Sequence, residues 1–267
     1  MIFVRDKGQM CNNILQYGHV YAWGREHGRT TMSMRFAYKY QYFHICKSRH
    51  HNFLTYIFAK YGAKTGLINV ITLDKEEDVR TEVEQQMLGH RIMIIEGWYA
   101  RWYDLFIKYK QEIIQLFAFN DEIEHRVNNL LDDKLRLGLH IRRGDYKAFQ
   151  GGRFFYTDEQ YINIVRGFLA LHPKQNIHIY ICGNDPKLNK ELYVQQLPGC
   201  QVSFPNGNPG EDLCLLSHCD YLIGAPSTFS LVAAMYRDLP LYWIEDPNQK
   251  VSQDSFKHFD YLFRHIY

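Results

Sequence analysis

The stretch "LRLGLHIRRGDY", residues 135–146, joins an apolar run to two adjacent arginines. The run "LRLGLHI" has the length and composition of a buried strand. Because side chains alternate along a strand, Arg142 and Arg143 leave its end toward opposite sides. One arginine could then reach a ligand while the other pairs internally, for example with Asp145. An Arg–Asp pair that only fixes the loop is the alternative.

The chain after this stretch alternates predicted strands with predicted helices. The strands read "IHIYICG", "CQVSF", "DYLIGA" and "PLYWI", and the helices read "DEQYINIVRGFLALH", "DPKLNKELYVQQL", "GEDLCLLSHC" and "STFSLVAAMYR". Such alternation is typical of a parallel sheet with helices on both faces. Ligands of these α/β folds bind at the carboxyl ends of the strands, which is where the two arginines lie.

The first half of the chain is less regular. Short apolar runs predict strands at "IFVR", "GLINVITL" and "RIMIIEG". A helix is predicted from Asn12 to about His27, closed by Gly28. Helical periodicity from Trp102 to about Leu131 predicts two further helices.

Three segments follow from this pattern. Residues 1–133 are expected to form one α/β domain and residues 134–250 a second, with a cleft between them that binds ligands. Residues 251–267 are predicted to form an amphipathic helix that packs back on the body.

The composition indicates a globular protein with no nucleic-acid partner. Hydrophobic residues make up 46% of the chain and charged residues 22%, which is too apolar for disorder. The 31 basic and 29 acidic residues leave a net charge of +2, unlike the strongly basic surface of a nucleic-acid-binding domain. One basic run, residues 47–51, is either a solvated surface cluster or a weak attraction to an anionic membrane face.

Cysteine usage and hydropathy indicate a chain that stays inside the cell. None of the 6 cysteines forms a C-x-x-C pair. No segment is apolar over the ~18 residues that a membrane span needs, and the N-terminus lacks the apolar run of a signal peptide. We therefore expect a reducing, cytoplasmic location.

The segment "DYLIGAPSTFSLVAAMY", residues 220–236, takes a predicted strand directly into a helix. Ser227 or Thr228 is a suitable N-cap for that helix. A helix start after a parallel strand presents free N–H groups and a positive dipole end, which suit a phosphate. An ordinary N-cap without a ligand is the alternative.

Asp212 opens the preceding helix. A carboxylate at a helix N-terminus either matches the helix dipole or accepts hydrogen bonds from a ligand, such as the N1–H and N2–H donors of guanine. The residues around Asp212 do not choose between these roles.

Two other turns are not assigned a function: the first is interpreted as structural, and the second is poorly placed for cell adhesion. "CGNDP", residues 182–186, is a strand end that turns into a helix. The Arg-Gly-Asp triplet at 143–145 would serve cell adhesion only at an exposed hairpin tip of an exported chain. Because it directly follows a buried strand, adhesion is disfavoured.

Several of these blocks, taken in order, resemble one enzyme family. "HIRRGDY", "GNDP" and "EDLCLLSHCDYLIGAPSTFSLVAAMY" are similar to the α-1,2-fucosyltransferase family, glycosyltransferase family 11, and to its α-1,6- and protein O-fucosyltransferase relatives. "GQMCNNILQYGHVYAWGREHG" resembles the glycine–asparagine–glutamine element that opens the family, with Cys11-Asn12-Asn13 at the triplet. Residues of roughly 30–130 carry no resemblance, and acceptor recognition is expected there.

The resemblance implies an α/β fold of the GT-B type, with two Rossmann-like domains facing a cleft. The second domain would bind GDP-fucose without a required metal or other cofactor. Arg142 would bind the donor pyrophosphate, His140 would lie by the nucleotide and Asp212 would recognise guanine. The β-phosphate would meet the helix start formed by Ser227, Thr228, Phe229 and Ser230.

The resemblance also implies the reaction. L-Fucose would move from GDP-β-L-fucose to a glycan hydroxyl with inversion, giving an α-1,2 link to galactose in polysaccharide or oligosaccharide synthesis. Arg142, Asn12 and Asp145 are the residues expected to take part in catalysis. Exposure or strand-end position alone makes Asp6, Asp145 and Glu96 candidate bases, and the sequence does not choose among them. A base is dispensable if departure of the leaving group is well advanced.

The expected partners are a GDP-sugar donor and a glycan acceptor. A cytoplasmic bacterial enzyme would act on lipid-linked or surface-polysaccharide precursors, at the inner face of the membrane. The alternatives are transfer of another GDP-linked deoxyhexose, and a module that binds GDP or a glycan without catalysis.

Overall fold

A computed structural model describes residues 1–5, 7–75 and 81–266. The chain divides into two compact units, Met1–Asp121 and a second that begins at Glu122. The domain limits read from the sequence, with a boundary after residue 133 and a cleft between domains, stay a prediction.

The first unit is built on a parallel four-stranded sheet. Its strand order is β2-β1-β4-β3. The strands and helices are β1 (Ile2–Arg5), α1 (Met10–Glu26), β2 (Thr31–Ser33), α2 (Phe53–Lys64), β3 (Asn69–Thr72), α3 (Thr81–Gly89), β4 (Met93–Glu96), α4 (Tyr103–Lys108) and α5 (Lys110–Leu116). The next helix, α6 (Asp121–Asn128), begins at the division between the units.

The first unit differs from the sequence prediction in three places, one of which is α2, a helix that was not predicted. β2 was not predicted, because three residues show no periodicity. The two helices predicted between Trp102 and Leu131 are three in the structure, since the backbone leaves helical geometry at Tyr109 and again after Leu116.

The second unit is built on a parallel five-stranded sheet. Its strand order is β7-β6-β5-β8-β9. The elements are β5 (Leu135–Ile141), α7 (Asp158–Leu171), β6 (Ile177–Gly183), α8 (Lys190–Gln196), β7 (Gln201–Ser203), α9 (Pro209–Ser217), β8 (Tyr221–Gly224), α10 (Thr228–Arg237), β9 (Leu241–Trp243) and α11 (Phe259–Phe263). The predicted α/β class with parallel sheets is confirmed.

The strand order places a switch point between β5 and β8. From β5 the chain builds the sheet outward through β6 and β7, then returns to the other side of β5 with β8 and β9. Neighbouring connections therefore leave in opposite directions at this point, which opens a crevice at the carboxyl ends of the two strands. Gly138 lets the centre of β5 pack closely, since a Cβ there would lie 2.6 Å from a Leu222 methyl carbon.

Helix starts in this unit are set by local side chains. Thr157 and Gln160 form a capping box at α7, and Asn208 and Glu211 form another at α9. Of the two predicted N-cap candidates, Ser227 caps α10 by accepting a hydrogen bond from the Phe229 N–H. These caps fix the backbone where the loops leave the sheet.

The C-terminal segment differs from its prediction. In place of one long helix over 251–267, the structure has a 3-10 turn at Gln253–Ser255 and the short α11. Between them the Lys257 backbone exchanges two hydrogen bonds with Leu241 of the edge strand β9, at 2.9 and 3.0 Å. This pairing competes with helix formation and depends on a residue 16 positions earlier, so local periodicity could not reveal it. Among the described helices none is both long and apolar enough to cross a membrane.

Candidate functional site

The loops that follow β5 and β8 lie side by side at the switch point. His140 near the end of β5 pairs in register with Gly224, the last residue of β8. The Tyr146 hydroxyl, in the first loop, donates a hydrogen bond to the Pro226 carbonyl oxygen in the second. The arginines and the start of α10 are thereby held at one edge of the sheet.

Arg142 keeps part of its donor capacity uncommitted. Its side chain is 22% exposed, and one terminal nitrogen lies 2.8 Å from a carboxylate oxygen of the exposed Asp145. Its guanidinium carbon lies 5.5 Å from the ring centroid of Tyr146. The buried Nε has no hydrogen-bond partner in the described part of the chain. Asp145 and Tyr146 therefore position the Arg142 guanidinium, and its Nε–H remains available to donate a hydrogen bond to a ligand.

Arg143 is fully committed to the fold. Its side chain is only 9% exposed and contacts two carboxylates, at 2.5 Å to Asp158 and 3.1 Å to Asp185. Its Nε donates to the Tyr156 carbonyl oxygen at 2.9 Å. The predicted divergence of the two arginines is present, but the internal partners of Arg143 are Asp158 and Asp185.

Asp145 pairs with Arg142, so the suggestion that it serves the inward-facing arginine was wrong. The reason is geometric: Asp145 begins a 3-10 turn, Asp145–Lys147, on the same side as Arg142. Arg143 is buried in the fold, so the Arg-Gly-Asp triplet is not displayed as a unit for adhesion.

Sequence reasoning missed the two carboxylates that hold Arg143. Asp158 opens α7, and Asp185 follows β6 in the turn that was interpreted as structural. Asp158 also accepts a hydrogen bond from the Tyr193 hydroxyl at 2.9 Å. Their positions in the sequence were the available signal. Asp185 follows a predicted strand and Asp158 starts a predicted helix, and both places lie at the carboxyl edge of the predicted sheet.

His140 is a buried, neutral imidazole at this edge. It is 5% exposed and stacks on Phe229, with ring centroids 4.9 Å apart and planes 22° apart. Burial, and then the nearby Arg142 cation, lower the pKa of His140 to about 3. Its Nδ1 has no hydrogen-bond partner among the residues that the structure describes. The ring can therefore serve as an uncharged wall or hydrogen-bonding group beside a ligand.

The start of α10 is fixed from beneath by Ser230. This wholly buried hydroxyl donates to the Ser227 carbonyl oxygen at 3.1 Å and accepts from Trp243 Nε1 at 3.1 Å. Ser227 and Thr228 lie at the surface end of the same turn and are partly exposed. The helix start is thus rigid, and its positive dipole end faces the carboxyl edge of the sheet.

Asp212 is a carboxylate in a proton-retaining environment. Burial raises the pKa of Asp212 to about 7. A hydrogen bond with the Cys182 thiol lowers this pKa, but its effect is smaller than that of burial. Its buried Oδ1 has no hydrogen-bond partner within the described ranges. The loop before α9 approaches it closely, because a Cβ on Gly207 would lie 2.9 Å from Oδ1. An N–H donor from a ligand would satisfy this carboxylate.

The remaining predicted site residues, Asn12, Asp6 and Glu96, belong to the first unit. Asn12 lies in the first turn of α1 and is partly buried, and its carbonyl oxygen accepts from Gln16 Nε2 at 3.2 Å. Of the candidate bases, Glu96 accepts from Arg5 at 2.9 Å and from Thr72 at 3.0 Å, which joins three neighbouring strands. Asp6 lies outside the described residues.

One group of potential metal ligands lies on α6 and α9. One ligand atom each of Glu124, Cys214 and His218 lie within 4.8 Å of one another. Burial, and then the Glu124 carboxylate, raise the pKa of the Cys214 thiol. His218 Nε2 also lies 3.4 Å from a Glu124 carboxylate oxygen, and we assign no metal to the group.

Comparison with solved structures identifies the fold. Arabidopsis thaliana FUT1, as a mutant in complex with GDP, superposes with a TM-score of 0.64 at 12% identity, over 96% of this chain and 73% of that one. The fucosyltransferase NodZ from Bradyrhizobium gives 0.58 at 13% identity, over 93% and 96%. POFUT1 in complex with GDP gives 0.57 at 10% identity, over 89% and 94%.

This chain has the fold of these fucosyltransferases. The fucosyltransferase fold agrees with the GT-B-like architecture implied by the sequence motifs. Because the identities lie between 10 and 13%, the likeness concerns the fold alone. No protein-family model matches the sequence, and no curated protein matches it.

Proposed function

We propose that this protein is a GDP-fucose-dependent, inverting fucosyltransferase. It would move L-fucose from GDP-β-L-fucose to a glycan hydroxyl, with an α-1,2 link to galactose. The observation that carries the proposal is the grouping of Arg142, His140 and the rigid start of α10 at the switch point. The chain's fold is that of fucosyltransferase structures solved with GDP, which supports the same conclusion.

Donor binding would use three features of the second unit. The Asp212 carboxylate would accept the N1–H and N2–H donors of guanine, which would satisfy its unpaired Oδ1. The stacked rings of His140 and Phe229 would lie beside the nucleotide. Arg142 and the N–H groups around Ser227 and Thr228 would bind the diphosphate.

The chemical step would be a displacement at the sugar carbon C1. The acceptor oxygen forms its bond to C1 from the face opposite GDP, and the C1–O bond to the β-phosphate breaks with its electron pair passing to the phosphate oxygen. The acceptor proton leaves to a base or to solvent. Arg142 stabilises the charge that develops on GDP, and since it is already held by Asp145 and Tyr146 little reorganisation is needed. Asn12 would orient the acceptor or the sugar.

The proposed reaction would need no metal ion and would take place at a membrane. Arg142 and the positive end of the α10 helix dipole would neutralise the negative charge on the leaving GDP, so a metal ion would not be required. The acceptor would be a lipid-linked or surface-polysaccharide precursor in a bacterial cytoplasm, at the inner face of the membrane. Peripheral association with that membrane is part of the proposal.

The decisive experiment is a transfer and donor-hydrolysis assay on Arg142 variants. We expect Arg142→Ala to lower kcat by about 100- to 1000-fold, because it removes a donor to the leaving diphosphate. Arg142→Lys keeps the charge but loses the planar fork, and we expect it to be impaired as well. The exposed Arg166 on α7 gives a matched control, and Arg166→Ala is expected to retain activity.

The same assay separates the alternatives. A panel of GDP-sugars and galactose-terminated acceptors, read by mass spectrometry, reports the donor sugar and the linkage. Full activity of Arg142→Ala with GDP-fucose would contradict the assigned role. Tight GDP binding with no turnover on any acceptor would indicate a non-catalytic module.

A further inference from the structure

The outer face of α2 is unusually apolar for a surface helix. Phe53, Leu54, Phe58 and Tyr61 are 58, 81, 56 and 53% exposed. Leu54, Phe58 and Tyr61 recur at the i, i+4, i+7 spacing of one helical side. Leu67, just beyond the helix, is 85% exposed and extends the patch.

The opposite face of α2 is already used by the fold. Ala59 is wholly buried, and it packs with Tyr56 and Ala63 in the core cluster that covers the first sheet. The outer side chains therefore lie on a different side of α2 from the one that packs on the first sheet. The outer face is thus a second, solvent-exposed apolar patch on α2, and an exposed apolar patch of this kind marks a site of interaction.

The chain segment that carries this face has charged side chains of one sign. Residues 27–73 contain no Asp or Glu. Lys47, Arg49, Lys60 and Lys64 are exposed within this acid-free segment, before and along α2. An apolar helical face flanked by exposed cations fits a lipid surface with anionic headgroups.

We propose that the outer face of α2, with Leu67, docks on an anionic lipid surface. Phe53, Leu54, Phe58 and Tyr61 would enter the boundary between headgroups and acyl chains, and the flanking cations would contact lipid phosphates. A second copy of the chain is a poorer occupant, because pairing two such faces would bring like charges together. The inference assigns a surface to the membrane association proposed above, and its test requires no transferase activity.

The test is flotation of the full-length protein with vesicles of phosphatidylcholine, with and without phosphatidylglycerol. We expect binding that requires phosphatidylglycerol and weakens as salt increases. Leu54→Ser combined with Phe58→Ser should lower the bound fraction by about tenfold or more, since two inserted side chains are lost. Lys60→Glu combined with Lys64→Glu should also lower binding to the anionic vesicles.

Matched controls come from the second unit. Leu130 and Val194 are 50 and 55% exposed, so Leu130→Ser with Val194→Ser removes two exposed apolar side chains outside the α2 face. Lys174→Glu with Lys250→Glu makes the same charge change at exposed positions. Both control variants should bind vesicles as the parent does, and circular dichroism checks the fold of every variant.

Two results would overturn this inference. One is unchanged vesicle binding by a folded Leu54→Ser, Phe58→Ser variant. The other is a dimer in lipid-free buffer that these substitutions dissociate, without vesicle binding by the parent, which would make the face a contact between copies. Loss of transferase activity with vesicle binding intact would count against the proposed enzyme and leave the docking surface standing.

Discussion

Asp212 makes the proposed guanine contact dependent on pH. Its pKa is raised from 3.8 to about 7, because burial disfavours the charged form. Guanine offers two N–H donors, and only the ionised carboxylate can accept both. Bound GDP should therefore lower the pKa of Asp212, and binding should release a proton wherever the free protein still holds it.

We predict that the affinity for GDP falls as the pH decreases below about 7, by up to about tenfold per pH unit. Above that pH Asp212 is already ionised and the dependence should level off. Calorimetry in two buffers of different ionisation enthalpy measures the released proton directly. Asp212→Asn cannot titrate, so it should bind GDP more weakly and release no proton at this site. An identical pH profile in that variant would show that another group titrates.

At the scale of elements, Arg143 joins the loop after β5 to α7 and to the end of β6. Its guanidinium lies between Asp158 and Asp185, which flank it from different elements. Removing it would leave two largely buried carboxylates without their cation. Breaking a buried ion pair from one side typically costs about 3–5 kcal/mol.

We predict that Arg143→Ala lowers the free energy of unfolding by about 3 kcal/mol. Arg142→Ala should lower it by less than about 1 kcal/mol, since its pair with the exposed Asp145 is screened by solvent. Urea denaturation of both variants measures the difference. Equal destabilisation would contradict the division of the two arginines into one that serves a ligand and one that holds the loop.

Part of the arrangement of these elements could be predicted from the sequence. The apolar run of β5 and side-chain alternation predicted that the two arginines diverge. The N-cap signal predicted that α10 starts at Ser227 or Thr228, and Ser227 is the cap. The partners of Arg143 could not be predicted, because Asp158 and Asp185 lie 15 and 42 positions away. Local patterns fix where a side chain leaves a strand, whereas its partner depends on which loops the sheet brings together.

At the scale of the whole molecule, the residues proposed to bind the donor all belong to one unit. His140, Arg142, Asp212 and the start of α10 lie after Glu122, whereas Asn12 and the apolar face of α2 belong to the first unit. The sequence indicated the basic run at 47–51 but not the exposure of α2. An apolar segment of this length is compatible with a buried or a surface helix, and only the packing of Ala59 and its neighbours distinguishes them.

The second unit should therefore bind GDP without the first. It has a buried cluster that runs from β5 through α7 and β6 to Phe256, and all the residues of this cluster belong to the second unit. A fragment that starts at Asp121 keeps α6 complete. We predict that it folds cooperatively and binds GDP within about tenfold of the full chain, about 1.4 kcal/mol, but transfers no fucose because Asn12 and the acceptor side are missing.

Circular dichroism and calorimetry of the fragment check this prediction, and the same fragment with Asp212→Asn is the control for binding at the proposed site. A folded fragment that fails to bind GDP, while the full chain binds it, would mean that the first unit contributes directly to the nucleotide. Since the fold alone places the arginine, the histidine and the helix start at one edge of one sheet, the first unit should be needed for transfer and not for recognition of GDP.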